Sequence, residues 1–253
     1  MSEELTAPLA LPPAEAVTLL ECGEITVEGR VTRASNATLY CRIEADGVAA
    51  ACVYKPISGE RPLWDYPDGT LAEREVACFV ISEATGWDIV PPTVLRAGPL
   101  GTGMVQLWIA EDDQFDLIEA INAGRSAALR RVALLDAVLN NSDRKVSHLL
   151  PVPGEHVYGV DHGVSLGVEN KLRTVLWQWA GDPIPAEGIE MLQRLDTDWE
   201  RAGPDRPSLA ELLGELLTTA EVRAVRRRVQ RLLRKQLFPL PPTDWPAIPY
   251  PPY

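Results

Sequence analysis

Four ionisable residues stand out for what they could do together. Lys55 ends the apolar run ACVYK, and Glu75 lies in the first half of TLAEREVACFVISEAT. Asp143 follows ALLDAVLNNS, and Asp161 ends VYGV. A lysine offers a compact charge for phosphate oxygens, and a glutamate can hold that charge in place. One aspartate suits a hard divalent cation, and the other can orient an acceptor hydroxyl and take its proton. Transfer of a phosphoryl group from ATP needs this inventory, because the protein supplies positioning and charge stabilisation more than covalent chemistry. Taken singly, each residue has an ordinary reading. Lys55 would be a strand-end lysine, Asp143 a turn or cap residue after Asn140 and Asn141, and Asp161 a turn acid near Gly163. Their order, and their places at the ends of apolar segments, favour a shared site.

Two kinds of element must position them. GEITVEGRVT, Gly23 to Thr32, alternates like a half-buried strand, and Ala37 to Pro56 gives two strands around an Asp46-Gly47 turn. From Thr70 to Thr85, Leu71, Val76, Phe79, Val80 and Ala84 fall near helical spacing, with Gly86 as a stop. IVPPTVLRAGPLGTGMVQLWI supplies two further strands about a glycine-rich turn. From about Ala127 the pattern is helical, interrupted by a short strand around Tyr158 to Val160. The expected fold class is α+β, with a β-rich lobe over 23–110, a helical lobe over 111–238 and a cleft at the join near Trp108 to Phe115.

Residues 1–22 are expected to form a loose, proline-containing extension. The proline-rich tail, 239–253, cannot be helical, and pinning its aromatic residues on the body is preferred to service as an SH3-type ligand. The run AEVRAVRRRVQRLLRKQLF sets Val222, Val225, Val229, Leu232, Leu233 and Leu237 on one face and arginines on the other. A solvated basic face is the expectation there, ahead of an anion-binding one.

The chain has 253 residues, 46% of them hydrophobic, and a net charge of -12. Phosphate-backbone binding needs a concentrated basic surface, so nucleic acid is excluded as the expected partner, as is an anionic membrane face. The N-terminus lacks the basic start of a signal peptide, and no apolar stretch reaches the roughly 18 residues of a membrane span. A cytoplasmic protein without membrane insertion is expected. Cys22, Cys41, Cys52 and Cys78 lack a CxxC pair and are expected as reduced core thiols. Only Lys55, Lys145, Lys171 and Lys235 among the 24 basic residues are lysines, so a lysine here marks a place where arginine's planar fork does not serve.

Residues 23 to about 200 resemble the protein-kinase-like superfamily. The similarity is to its atypical branch of phosphatidylinositol 3-/4-kinases, HipA-type bacterial kinases and secretory-pathway kinases of the Golgi. EVACFVISEATGWDIVPPTVL is similar to the branch's helix followed by VPPT, NNSDRKVSH to its N-x-D-R catalytic loop, and VDHGVSLG to its D-x-G metal loop. The whole chain also resembles an actinobacterial family described as phosphatidylinositol 3-/4-kinase-like. The resemblance implies a two-lobed fold with Lys55 on the phosphates of ATP and Glu75 as its ion-pair partner. It further implies Asp143 as catalytic acid or base, Lys145 on the transferred group and Asp161 as principal ligand of Mg²⁺ or Mn²⁺. Gln106, Leu107, Trp108 and Ile109 would form the hinge that meets adenine, and Ser35 with Asn36 the loop over the phosphates, where RASNATLY lacks a glycine fingerprint.

Five positions after Asp143, where most such kinases carry an asparagine for a second metal ion, stands His148. Imidazole is a poor ligand for Mg²⁺ and an acceptable one for Mn²⁺. His162, inside Asp-His-Gly, is expected to pack or hydrogen-bond and not to ligate. The segment after Asp161 lacks the APE signature of ordinary protein kinases. The expected function is an ATP-dependent phosphotransferase acting on a hydroxyl of a small molecule or protein. The alternative is a nucleotide-binding pseudokinase serving as a regulatory scaffold.

Overall fold

The computed structural model describes residues 11–31, 37–67, 69–203 and 207–253. Ser35 and Asn36 lie outside the described residues. Helix α1 (Pro13–Cys22) leads into strands β1 (Glu24–Arg30), β2 (Leu39–Ala45) and β3 (Val48–Pro56). Helix α2 (Leu71–Thr85) follows, then β4 (Thr93–Gly98) and β5 (Gly101–Leu107). The five strands form one antiparallel sheet in the order β1-β2-β3-β5-β4. The β2–β3 hairpin turns where expected, with Asp46 and Gly47 both at positive φ, as a tight hairpin with right-handed strand twist requires.

Of the extension expected over 1–22, residues 11–22 are described, and they are not loose. Pro13 occupies the first turn of α1, where a missing N–H costs nothing, and Ala16, Leu19 and Leu20 make a buried face. Leu19 and Leu20 pack with Cys41, Ile43, Val94 and Val105 on the sheet. Arg96 then donates to the carbonyls of Leu20 and Gly23 at 2.9 and 2.8 Å, satisfying groups that the helix end leaves open. The consecutive prolines look like helix breakers in the sequence, yet the second sits where a helix tolerates one. Cys22 ends this helix on its outer side and is exposed, contrary to its expected place in the core, whereas Cys41, Cys52 and Cys78 are buried.

The second half contains α3 (Leu117–Ala123), α4 (Ala127–Leu139), the two-stranded hairpin β6 (Leu149–Val152) and β7 (His156–Gly159), then α5 (Ala186–Asp198), α6 (Leu209–Gly214) and α7 (Thr219–Lys235). Between β7 and α5 the chain has no regular element, so the helical pattern expected from Ala127 onwards is broken there. Helix α4 is the centre of the larger core, in which Leu135, Val138 and Leu139 are fully buried. Helix α2 joins the two halves: Ala77, Cys78 and Ile81 on it belong to that same core. A buried ion pair, Arg74 to Glu221, ties α2 to α7.

Two further expectations change. Arg228 of α7 is 6% exposed, so the arginines do not all face solvent. The tail does lie on the body, but it is held mainly through backbone carbonyls. Ala247 O accepts from Trp177 Nε1 at 2.8 Å and from Thr174 N at 3.0 Å, and Pro252 O accepts from Val146 N at 2.9 Å. Prolines cannot donate but leave every carbonyl free to accept. Tyr250 and Tyr253 stay exposed. Replacing Leu20 by Ala is expected to cost about 2–5 kcal/mol in urea unfolding, because it cuts the α1 anchor from a closed core. A loose extension would show no change.

Candidate functional site

Lys55, near the end of β3, lies where the two halves meet. Its ammonium is 2.8 Å from Glu75 Oε1 on α2 and 2.7 Å from Asp161 Oδ1, just beyond β7. Burial alone would lower the Lys55 pKa, but the Asp161 and Glu75 charges outweigh it and raise it above the usual lysine value. The same Lys55 charge holds the Asp161 carboxyl well below the usual carboxylate range, against the opposing effect of burial. Glu75 is 2% exposed, and its other oxygen accepts from the backbone N–H of His162 at 2.8 Å. One glutamate thus orients the lysine and the loop that carries Asp161. Asp161 has φ 62°, an uncommon conformation that aspartate tolerates better than most residues.

Asp143 lies in the loop after α4. Its backbone N–H donates to Asn141 Oδ1 at 2.9 Å, and Lys145 Nζ is 3.0 Å from its Oδ2. Burial raises the Asp143 pKa although Lys145 opposes the shift. A carboxylate whose proton affinity is lifted toward working pH is suited to receive a hydroxyl proton. His148 Nε2 is 3.3 Å from Asp161 Oδ2. Burial pushes the His148 pKa down to about 4 in spite of that neighbouring carboxylate, so the ring is neutral at pH 7.

Among the described residues no cluster of three or more His, Cys, Asp or Glu could hold a metal by itself. The Asp161 and His148 pair does suit an ion that draws its remaining ligands from phosphates and water. Its separation is near the roughly 3.0 Å between adjacent ligands of an octahedral ion with bonds of about 2.1 Å. A neutral imidazole offers a lone pair without first losing a proton. The donor set of one carboxylate and one imidazole suits Mn²⁺ better than Mg²⁺.

These residues are placed by a buried ion pair that the sequence reading missed. Asp136 on α4 and Arg144 are both fully buried, with Arg144 Nη2 2.9 Å from Asp136 Oδ1. Arg144 Nη1 also donates to the carbonyls of His148 and Val160, at 3.1 and 2.9 Å. Nη2 reaches His162 Nε2 at 2.6 Å, and since a guanidinium can only donate, that nitrogen accepts. The His162 proton therefore sits on Nδ1, 4.0 Å from Glu75 Oε2. His162 is a structural, hydrogen-bonded residue, as expected. Gly159 packs closely on Arg144, where a Cβ would meet Nη2 at 3.0 Å. The signal in the sequence was an acid inside LLDAVL, where only a paired charge survives burial.

A cavity of about 680 Å³ opens on the cleft, lined by Lys55, Glu75, Ser142, Asp143 and Asp161 together with residues of the β3–α2 loop and Trp245 of the tail. Glu60 and Trp245 were not expected at the site. Glu60 caps α2, accepting from the N–H groups of Leu71 and Ala72 at 3.2 and 2.9 Å. The expected hinge residues Gln106, Leu107, Trp108 and Ile109 lie at and beyond the end of β5 and do not line this cavity. Gln106 is 3% exposed and donates to Thr93 Oγ1 at 2.8 Å, while Trp108 N donates to Ala51 O at 3.0 Å.

No family model matches the chain. Protein Rv2133c of Mycobacterium tuberculosis is 41% identical over 268 aligned positions, covering 91% of this chain and 94% of that one. The chain belongs to its family. Among solved structures, the Golgi casein kinase with Mn/ADP bound aligns over 88% of this chain and 75% of its own, with a TM-score of 0.56 and 14% identity. Hydra Fam20 with sugar aligns over 93% and 91%, with a TM-score of 0.58 and 13% identity. The Helicobacter pylori proinflammatory kinase CtkA aligns over 87% and 94%, with a TM-score of 0.50 and 9% identity. At these identities the likeness is one of fold. This member of the family has an atypical protein-kinase-like fold with a β-sheet lobe and a helical lobe.

Asp136→Ala is expected to destabilise the protein by about 3–5 kcal/mol, since it leaves the Arg144 charge buried and unpaired. Denaturant unfolding measures this, and a loss below about 1 kcal/mol would refute the central place given to the pair.

Proposed function

We propose that this protein is an ATP-dependent phosphotransferase acting on a hydroxyl of a small molecule or protein. The observation that carries the reading is Lys55 held at 2.8 and 2.7 Å by Glu75 and Asp161, with Asp143 lining the same cavity. In this reading residues 23–110 are the nucleotide-side lobe and 111–238 the lobe bearing the acids. Within the segment 1–22, α1 adds a helix to the first lobe, and the tail 239–253 adds a wall to the cleft. The likeness to a kinase solved with Mn/ADP supports nucleotide and divalent metal as cofactors. The motifs resembling the phosphatidylinositol 3-/4-kinase-like branch support the same reading. The net charge of -12 speaks against an anionic lipid surface as acceptor. No described helix is long and apolar enough to cross a membrane. A cytoplasmic site of action is part of this proposal.

Asp143 turns the acceptor hydroxyl toward the γ-phosphorus and takes its proton as the new O–P bond forms and the bond to the β-phosphate oxygen breaks, releasing ADP. Lys55 and Lys145 balance charge on the phosphate oxygens, and Glu75 keeps Lys55 extended into the cleft. Asp161 and His148 would hold a divalent ion, Mn²⁺ in preference to Mg²⁺, which neutralises phosphate charge. Gln106 to Ile109 would border the adenine, and Ser35 with Asn36 the phosphates.

Thermal melting with ATP and Mn²⁺ tests the cofactor half. Saturation is expected to raise Tm by the equivalent of about 3 kcal/mol at a hundredfold excess over Kd, and Asp161→Ala to abolish the rise. No rise with either metal would overturn the assignment. For the chemical half, Asp143→Asn is expected to cut ATP turnover by about 10²–10⁴ while nucleotide binding persists. A second reading, a nucleotide-binding scaffold, is favoured by His148 in the position of the expected asparagine. It would be marked by wild-type binding without turnover.

A further inference from the structure

Away from the cleft, α7 and the segment following Asp161 enclose a groove of about 420 Å³. Arg227, Arg228, Arg231 and Arg234 line it, with Asn170 and Val168 opposite. Among the described residues no carboxylate lies within ion-pair distance of any of these four arginines. In a chain of net charge -12, four uncompensated guanidinium groups in one groove are anomalous.

Arg228 carries the argument, because the cost of burying a cation has to be met by something. It is 6% exposed. Its Nε donates to Val138 O at 2.8 Å and its Nη1 to Gly167 O at 3.0 Å. Nη2 is buried and has no hydrogen-bond partner among the described residues. Two neutral carbonyls do not cancel the charge. Burial, with Arg231 and Arg227 adding to it, pushes the Arg228 pKa down to about 10. A surface arginine could turn to water, but this one is fixed beneath its neighbours.

We propose that this groove is a binding site for a small phosphate-bearing anion, distinct from the nucleotide cleft. Guanidinium forks pair with phosphate oxygens through parallel charge-assisted bonds, and a group carrying two or more charges compensates this cluster better than one carboxylate. Arg228 supplies the floor, while Arg227, Arg231 and Arg234 supply the rim. Asn170 is oriented for the same ligand by the bond from Arg231 Nη2 to its Oδ1 at 3.4 Å. The volume suits a phosphorylated small molecule. Recruitment of a nucleic-acid backbone would ask for a longer basic track than one groove on an acidic protein.

The site is also linked to the loops of the cleft. Gly167 O accepts from Arg228 and from Asn140 Nδ2, the latter at 3.3 Å. Asn140 Nδ2 also donates to Glu169 O at 2.6 Å, and Lys171 N donates to Asn140 Oδ1 at 3.0 Å. An anion paired with this cluster therefore sits against the chain returning from Asp161 toward Asn140. None of this rests on the phosphotransferase reading.

The test titrates the full chain with sodium pyrophosphate in EDTA, with ionic strength held constant by NaCl. Calorimetry and Tm report on wild type and on the double variant Arg227→Gln, Arg231→Gln. Wild type is expected to bind and to gain Tm, and the variant to bind about tenfold or more weakly from an unchanged starting Tm. Should the starting Tm fall, Arg234→Gln on the exposed rim gives the same comparison. Equal binding by wild type and variant, or no binding to wild type at millimolar pyrophosphate, overturns the proposal. So does tighter binding of single-stranded RNA, or of vesicles containing a phosphorylated phosphoinositide, at the same salt.

Discussion

Asp136 and Arg144 are two opposite charges withdrawn completely from water, and the geometry of the cleft depends on their meeting. Burying such a pair gains little stability over an apolar pair of similar size, because desolvation consumes most of the attraction. What it confers is position. Every terminal nitrogen of Arg144 has an acceptor: the Asp136 carboxylate, the carbonyls of His148 and Val160, and the ring of His162. Asp136 also accepts from Asn141 Nδ2 at 3.1 Å, and Asn141 in turn receives the N–H of Asp143. A single ion pair thereby sets the loop bearing Asp143, the turn bearing His148 and the strand end bearing Asp161. An apolar pair could fill the space but could not fix three loops relative to one another.

The upper half of the cleft is organised by competition for one ammonium. Lys55 is shared by Glu75 and Asp161, and these two are not equivalent. Glu75 is buried, anchored by the His162 N–H, and carried on a helix whose far end packs into the larger core. Asp161 faces the open cavity. Of the two acids on Lys55, Asp161 is the one with solvent access from the cavity, whereas Glu75 is enclosed by protein. The Arg74 to Glu221 pair, one residue before Glu75, gives α2 a second attachment to the helical lobe. Because α2 also packs against β4 and β5, the helix that carries the site's glutamate is held from both sides of the cleft.

Much of this was legible in the sequence where the signal is local. Asp46-Gly47 forces a turn, Gly86 at φ 69° stops α2, and apolar spacing gives the strand that carries Lys55 and the one that ends two residues before Asp161. The gathering of four charged residues could be expected from their order on such elements. What stayed hidden depends on atoms meeting across the fold. Asp136 has the spacing of a core position, and only the arrival of Arg144 explains an acid there. Helix α1 was masked by two prolines, one of which lies in the first turn. Trp245 reaches the cavity because the tail's carbonyls find donors on Trp177, Thr174 and Val146, and proline composition does not say which donors those are. Hydrophobic periodicity gave α7 its apolar face except at Leu237, which lies past the helix and is exposed, and it assigned Arg228 to solvent because the pattern records the residue type and not the depth of its side chain.

The division of labour between the two basic side chains follows the same physics. Arginine occupies the fixed, buried positions: Arg74, Arg144 and Arg228 each spread several donors over acceptors that do not move. Lysine occupies positions where one ammonium is divided among acids. Lys55 lies between Glu75 and Asp161, Lys145 meets Asp143, and Lys171 lies between Asp65 and Glu169 with the rings of Trp64 and Trp245 within 4.4 and 5.3 Å. A planar fork locks onto its partners and is costly to release. A compact ammonium can exchange one oxygen for another with little movement. Three of the four lysines stand in or beside the cleft, where their partners are acids, while the scaffold around them is held by guanidinium groups on buried acceptors.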